Sequence, residues 1–133
     1  MNAHRLVAAG ALWVCVTGPV IAAPDAARGE QVYVRCEACH ALAYDRVGPR
    51  HCGVVGRAAG SVAGFDYSPA MKNSHIVWTE RSLDRFLTNP LKMVPGTSMT
   101  YDGVPKASDR ADLIAYLKAA ALTPECTALK AKH

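Results

Sequence analysis

The residues best suited to chemistry form one pentapeptide, Cys36-Glu37-Ala38-Cys39-His40. Two thiols separated by two residues can each add to one vinyl group of the same porphyrin, so that both sulfurs hold one haem covalently. The adjacent histidine supplies an imidazole nitrogen where the haem iron requires an axial ligand. The spacing therefore predicts one covalently bound haem c, attached through Cys36 and Cys39, with His40 as a metal ligand.

Two other kinds of site share the Cys-x-x-Cys spacing. A structural zinc site requires two further cysteine or histidine ligands at similar spacing, and the sequence contains no second such pair. A thioredoxin-like redox pair belongs at a strand-to-helix junction, and no alternating strand and helix pattern surrounds residue 36. Haem attachment is therefore favoured over both alternatives.

The N-terminal residues have the pattern of an export signal. His4 and Arg5 precede an apolar run over residues 6–21, which Ala22 and Ala23 follow. The run is about 16 residues long, shorter than the roughly 20 residues of a membrane-spanning helix. We expect residues 1–23 to be a signal peptide cleaved near Ala22 and Ala23, which places the mature protein in the periplasm. An uncleaved membrane anchor is the alternative.

Length and charge limit what remains after cleavage. Residues 24–133 number about 110, which is enough for one domain with a short C-terminal tail and too few for two domains. The formal charge of +4 for the whole chain falls to +3 when Arg5 is removed, because that is the one charged residue counted in the signal. Such a mild charge does not indicate nucleic-acid binding.

Hydrophobic periodicity predicts an all-α domain, because strand patterns are almost absent and Gly- and Pro-rich loops separate the helical segments. The predicted helices cover residues 26–38, 68–73, 79–89 and 108–124. Ser68, Thr79 and Ser108 are the expected N-caps, and Asp109 and Asp112 suit the positive end of the last helix.

The first and last helices are expected to cross. Gly29 allows a close approach between them, and Tyr33 and Tyr116 lie at corresponding positions near the crossing. An ordinary core pair of the two tyrosines is the alternative, and it predicts similar packing.

A second axial ligand is required opposite His40, and methionine is the leading candidate. Met99 follows Val94-Pro95-Gly96-Thr97-Ser98, a loop stiff enough to hold a weak, soft ligand. Met71 and Met93 compete with it, since methionine more often fills gaps in a core. The residues alone leave all three open.

From Gly29 to about Leu122 the sequence resembles the class I cytochromes c, the small soluble electron carriers of bacteria and mitochondria. The matching segments, in order, are Cys36–His40, Val47–Pro49, Gly53–Arg57, Gly64–Ser68, Ile76–Trp78, Asn89-Pro90, Pro95–Met99 and Arg110–Leu117. The resemblance implies an all-α class I fold, with crossing terminal helices and a haem wrapped by helices and Gly/Pro-rich loops. It also implies Met99 as the second metal ligand.

The resemblance further implies residues that position the haem. The Pro49 carbonyl would accept a hydrogen bond from the His40 ring nitrogen that does not bind iron. Donors to the haem propionates are needed because a propionate removed from water requires hydrogen bonds or a cation. The residues at the corresponding positions are Arg57, Tyr67, Trp78 and Thr97. Simple core packing is the alternative for Tyr67 and Trp78.

Several residues depart from the family pattern. Ser98 stands where many relatives carry lysine, and Phe86 where tyrosine is frequent. In the fold that the resemblance implies, the loop after Pro49 runs near the far end of the last helix, so a disulfide between Cys52 and Cys126 is expected in an oxidising compartment. His51 is expected to be a surface residue rather than a rival iron ligand.

The function implied is that of a soluble periplasmic electron-transfer protein, with haem cycling between Fe(III) and Fe(II) and no catalytic residues. The expected partners are membrane or periplasmic redox proteins, namely a cytochrome bc complex, an oxidase, a reaction centre or a dehydrogenase. We expect a monomer that contacts membranes only through such partners. The alternatives are a haem-c subunit dedicated to one dehydrogenase, a haem-based ligand sensor and a small peroxidase.

Overall fold

Six helices form the part of the chain that the computed structural model describes, residues 18 and 22–131. They are α1 (Ala26–Tyr33), α2 (Pro69–Lys72), α3 (Glu80–Thr88), α4 (Pro90–Met93), α5 (Ala107–Ala120) and α6 (Pro124–Lys130). Among these residues the extended pairing is limited to a single bridge between Ala58 and Val77. The all-α prediction is confirmed.

Most of the predicted signal peptide, including Cys15, lies outside the described residues. Of residues 1–23, the structure describes Gly18, Ala22 and Ala23. Among the described helices, each is too short or too polar to cross a bilayer.

The first helix is shorter than its sequence pattern predicts, because tight turns replace it before the pentapeptide. Asp25 caps α1 by accepting a hydrogen bond from the Arg28 backbone N–H, and α1 ends at Tyr33 rather than at Ala38. Beyond it, the Cys36 N–H donates to the Tyr33 carbonyl, three residues back, as in a 3₁₀ turn. The backbone N–H groups of Cys39 and His40 both donate to the Cys36 carbonyl, which folds the pentapeptide into one compact turn.

Two of the three expected N-caps are confirmed. The Ser68 and Thr79 side chains accept backbone hydrogen bonds at the starts of α2 and α3. The Ser108 prediction is wrong, since α5 begins at Ala107 after Lys106, without a side-chain cap.

The chain beyond α5 is helical, where the sequence predicted only the end of the last helix and a tail. Helix α5 already ends at Ala120, and Pro124 begins α6 instead of limiting α5. Proline suits the first turn of a helix because its missing N–H would have no intrahelical partner there.

Helices α1 and α5 cross in direct backbone contact, as predicted. A Cβ atom built on Gly29 would lie only 2.0 Å from the Asp112 carbonyl oxygen, so the approach requires glycine. The Tyr33 and Tyr116 rings pack together beside this contact, with centroids 5.1 Å apart.

A polar network closes the crossing on its outer side. The Asp112 carboxylate accepts hydrogen bonds from the Asp25 backbone N–H at 2.7 Å and from Arg28 Nε at 2.8 Å. The hydrogen bond from Arg28 lowers the pKa of Asp112 below its usual value. Asp112 therefore joins the two helices, whereas the sequence suggested that it served the N-terminal end of α5.

The core lies between α1, α3 and α5 and continues into the loops. It comprises Val32, Tyr33, Val54, Met71, Trp78, Leu83, Phe86, Leu87, Val94, Val104, Leu113, Ile114 and Leu117.

Arg110 holds the loop before α5 through hydrogen bonds from its guanidinium to Asp84 and to the Val104 and Pro105 carbonyls. At Gly103 (φ +102°) an added Cβ would lie 2.3 Å from the Thr88 carbonyl oxygen, so this loop lies directly on the end of α3.

The loop after Pro49 is joined to α6. Cys52 and Cys126 lie at bonding distance, with Cα atoms 5.2 Å apart and a sequence separation of 74 residues. Cys126 is fully buried, so α6 covers the end of the domain at this point.

Replacing Gly29 with alanine should destabilise the domain. Alanine is normally a better helix former than glycine by up to about 1 kcal/mol, so on an open helix face the substitution would be expected to stabilise the domain. Because the new methyl group would overlap the Asp112 carbonyl, we expect a loss of about 2 kcal/mol or more in the free energy of unfolding. Denaturant titration measures this loss of stability, and Glu30→Ala, at the exposed residue next to Gly29, is the control. A Gly29→Ala protein as stable as the control would contradict the backbone contact.

Candidate functional site

The candidate site is a cavity of about 250 Å³ between the helical core and the Gly/Pro-rich loops. All nine residues that the sequence predicted at a haem site line this cavity, namely Cys36, Cys39, His40, Pro49, Arg57, Tyr67, Trp78, Thr97 and Met99. These residues come from positions up to 63 apart in sequence (99 minus 36). Much of the remaining lining is apolar and includes Leu83, Phe86 and Leu113.

His40 is buried and held in one orientation by the loop that follows it. Its Nδ1 lies 2.8 Å from the Pro49 carbonyl oxygen, an acceptor, so Nδ1 carries the proton in this bond. The other ring nitrogen, Nε2, then keeps a lone pair for a metal. Burial also lowers the pKa of His40, which favours the neutral ring.

The Gly48 backbone lies against the same ring. A Cβ atom added at Gly48 would lie 2.2 Å from His40 Cε1 and 2.6 Å from each ring nitrogen. Because any side chain at residue 48 would occupy the space of the imidazole, this glycine is required by the site and not by a turn.

The two cysteines of the pentapeptide are unpaired and differ in exposure. Cys36 is partly buried and Cys39 is exposed. Burial raises the pKa of the Cys36 thiol to about 11. A ligand attached to both sulfurs would therefore extend from the interior to the surface at Cys39.

Two of the three candidate methionines line the cavity. Met71 belongs to the buried core, and Met99 lies in the loop before α5. Met93 lies outside the lining, which leaves it as a core gap-filler. The loop at Met99 is fixed by the buried Thr97, whose Oγ1 accepts a hydrogen bond from the Met99 N–H at 3.3 Å.

The residues expected to contact propionates have other partners in the structure. Arg57 donates from its two terminal nitrogens to the Cys52 and Arg50 carbonyls, at 3.0 and 2.9 Å. The Tyr67 hydroxyl oxygen accepts a hydrogen bond from the Val62 N–H, which leaves its own proton available to a ligand. Trp78 is buried and packs on Phe86, so the core-packing alternative describes part of its role.

The expectation that His51 is a surface residue is wrong. Its ring is stacked on His40, with centroids 4.1 Å apart and an interplanar angle of 21°. Its Nδ1 lies 3.2 Å from the Tyr33 hydroxyl. Burial, and then the nearby His40 and Arg57, lower the pKa of His51 well below its usual value. Sequence reasoning missed this residue, although its place two positions after Pro49 puts it in the loop that serves His40.

This set of groups fits a haem c. Two thiols at one edge, a neutral imidazole, a thioether and an extensive apolar wall are what a covalently attached, six-coordinate haem requires. A zinc site would need further ligands near the pentapeptide. In residues 22–131 the structure contains no group of three or more His, Cys, Asp or Glu side chains arranged to hold a metal ion.

Comparison with known proteins agrees with the geometry. The sequence profile of the cytochrome c family matches residues 26–121. Cytochrome c2 of Rhodomicrobium vannielii is 45% identical over 120 residues, which cover 88% of this chain and 95% of that protein. Cytochrome c 2.1 of Caenorhabditis elegans is 46% identical over 101 residues, which cover 74% of this chain and 91% of that protein.

The fold has a solved counterpart. Cytochrome cH from Methylobacterium extorquens superposes with a TM-score of 0.70 and is 42% identical, covering 71% of this chain and 98% of that one. The helical fold of this chain is therefore that of a known cytochrome. The chain belongs to the class I cytochromes c, a family of electron carriers with covalently bound haem c.

Proposed function

We propose that this chain is a soluble periplasmic electron carrier with one haem c, attached through Cys36 and Cys39. The observation that supports this most is the assembly, in one cavity, of both thiols with the His40 imidazole and the Met99 thioether. The haem, when bound, supplies a one-electron Fe(III)/Fe(II) couple. The protein is left to hold, orient and shield that group.

In this proposal His40 and Met99 are the axial metal ligands. The Pro49 carbonyl accepts the hydrogen bond from His40 Nδ1–H, which would direct Nε2 to the metal and raise its basicity. Met99 contributes a soft sulfur that favours the reduced state. With His40 and Met99 both engaged in this way, the metal would offer no open position to a substrate, and we assign no catalytic residue.

Polar groups on the far side of the cavity would hold the two propionates. Arg57, Tyr67, Trp78 and Thr97 all reach the lining and can donate hydrogen bonds. The partly buried Arg57 also supplies a positive charge, which would offset the cost of removing a carboxylate from water. Its two carbonyl contacts fix the guanidinium in place before any ligand binds.

We further propose that residues 1–23 are removed on export and that residues 24–133 function in the periplasm. The apolar N-terminal run supports this, as does the proximity of Cys52 and Cys126, since disulfides form in oxidising compartments. The similarity to bacterial cytochromes c2 points to the same location.

The partners proposed are redox proteins that meet the exposed haem edge beside Cys39. Candidates are a cytochrome bc complex, an oxidase, a reaction centre or a dehydrogenase, each contacted transiently by a monomer. Ser98 is an exposed residue of the cavity lining, so one position that often carries lysine offers no charge to such partners. Membrane contact would be peripheral and through the partner.

Met99→Ala tests the axial ligand and the carrier function together. Removal of the thioether should abolish the weak red absorption band of ferric iron bound to methionine sulfur. It should also lower the midpoint potential by at least about 59 mV, a tenfold change in the one-electron equilibrium. The opened position should bind carbon monoxide and turn over peroxide, whereas Met93→Ala should behave like the natural protein.

Two results would count against the proposal. If the red band persists in Met99→Ala, another residue ligates the metal. If the natural holoprotein already turns over peroxide as fast as Met99→Ala does, the peroxidase alternative is correct.

Gly48→Ala should disturb His40 directly, because the new methyl group would occupy the space of the imidazole. We expect a loss of about 1–3 kcal/mol in the free energy of unfolding of the holoprotein. A changed midpoint potential should accompany it. Val47→Ala is the matched control, since the Val47 side chain is 81% exposed and its removal should cost less than about 0.5 kcal/mol. Equal stability of the two variants would show that Gly48 does not limit the position of the ring.

Intact-mass measurement of holoprotein from the periplasmic fraction tests maturation. The denatured, unreduced protein should begin near Ala23 or Pro24, carry one haem and take up no thiol-alkylating reagent. After reduction, Cys52 and Cys126 should each be alkylated, because thioether-bound Cys36 and Cys39 cannot react. Two alkylated thiols before reduction would refute the disulfide, and an intact residue 1 would refute cleavage.

A further inference from the structure

The loop after Pro49 carries a second imidazole, that of His51, which electron transfer by itself does not require. The His51 ring is stacked on His40 at a centroid distance of 4.1 Å. Packing alone does not explain a histidine at this position, since an aliphatic residue would fill the same space without polar atoms to satisfy. The ring nitrogen Nδ1 is instead bonded to a specific partner, the Tyr33 hydroxyl.

Tyr33 is itself a fixed point in the structure. It is 3% exposed, and its ring contacts Tyr116 at the crossing of α1 and α5. Its ring also meets the His51 ring edge-on, with centroids 5.7 Å apart. The hydrogen bond to Tyr33 therefore ties His51 to the most closely packed pair of helices in the domain.

The backbone that carries His51 is held from three sides. The His51 N–H donates to the Ala41 carbonyl, and the Cys52 N–H to the Leu42 carbonyl, which join the loop to the residues just after His40. Arg57 binds the Cys52 carbonyl, and Cys52 is joined to Cys126 in α6. Little freedom remains for the His51 ring.

We propose that His51 is a positioning residue that fixes the rotation of the His40 ring about its bond to the metal. This inference rests on the proposed function, in which His40 is an axial ligand. The bond to Pro49 sets the direction in which Nε2 points, but a single hydrogen bond leaves the plane of the ring able to rock. The parallel His51 ring, held by Tyr33, restricts that second motion.

Ring orientation has a spectroscopic signature that stability does not share. In ferric low-spin haem, the orientations of the axial ligands, the imidazole plane among them, set which haem methyl groups carry unpaired spin. With the methionine ligand unchanged, a rotation of His40 therefore alters the positions of the hyperfine-shifted methyl proton resonances. A role of His51 in packing alone would change the unfolding midpoint and leave this pattern unchanged.

The test compares proton NMR spectra of ferric holoprotein carrying His51→Leu, Tyr33→Phe or both substitutions. We expect His51→Leu to alter the spread or order of the methyl shifts, and Tyr33→Phe to produce a smaller change. In the double variant, Tyr33→Phe should add nothing, because the tyrosine acts through His51. His75→Asn is the matched control, since this exposed histidine at φ 53° lies outside the cavity lining and asparagine tolerates its backbone conformation.

An unchanged methyl pattern in folded His51→Leu protein overturns the inference, whatever the loss of stability. Should His51→Leu yield no folded holoprotein, Tyr33→Phe decides, and a pattern like that of the natural protein overturns the inference. The natural holoprotein separates this result from the broader proposal. If it lacks thioether-bound haem or the methionine band, the proposed function fails. If it has both, only the role of His51 is in question.

Discussion

The contact between α1 and α5 is the constraint on which the site depends. Helix α1 ends immediately before the pentapeptide, so the position of α1 decides where Cys36 and the residues after it begin. Gly29 brings the backbones together, and Asp112 closes the contact by accepting bonds from Asp25 and Arg28. Because backbone atoms meet there without intervening side chains, small changes at the crossing are passed to the turn that would hold haem.

A second constraint acts on the imidazole from the loop over residues 48–52. Gly48 leaves room for the ring, the Pro49 carbonyl accepts a hydrogen bond from its Nδ1–H, and the His51 ring stacks on it. The next residue, Cys52, joins the loop to α6. Four neighbouring residues thus control one ligand, and their anchoring to α6 and α1 makes that control rigid. Fewer residues hold the Met99 side, where the loop is fixed by Thr97. This asymmetry would suit the proposed carrier, because a firm nitrogen ligand and a weaker sulfur ligand would keep iron six-coordinate while favouring its reduced state.

Much of the fold and of the candidate site was predictable from local chemistry. The Ser68 and Thr79 caps were predicted because capping depends on a few adjacent residues, and the all-α class because periodicity is local too. The Ser108 cap failed, since α5 begins two residues earlier, after Lys106, and Arg110 holds the loop before it through distant partners. Helix α6 was missed because Pro124 reads equally well as the end of one helix or the start of another.

The sequence by itself was enough to predict the attachment chemistry, since two thiols and an imidazole in one pentapeptide are spaced to hold the same group. Tertiary structure alone decided how His51 and Arg57 are used. His51 resembles any polar loop residue until the fold stacks it on His40 and brings Tyr33 within hydrogen-bond distance. For Arg57, which the sequence predicts as a propionate donor, only the fold brings the Cys52 and Arg50 carbonyls within reach of the guanidinium and so fixes its position. The physical reason is range: covalent spacing acts over a few bonds, whereas stacking and buried hydrogen bonds depend on segments that only folding brings together.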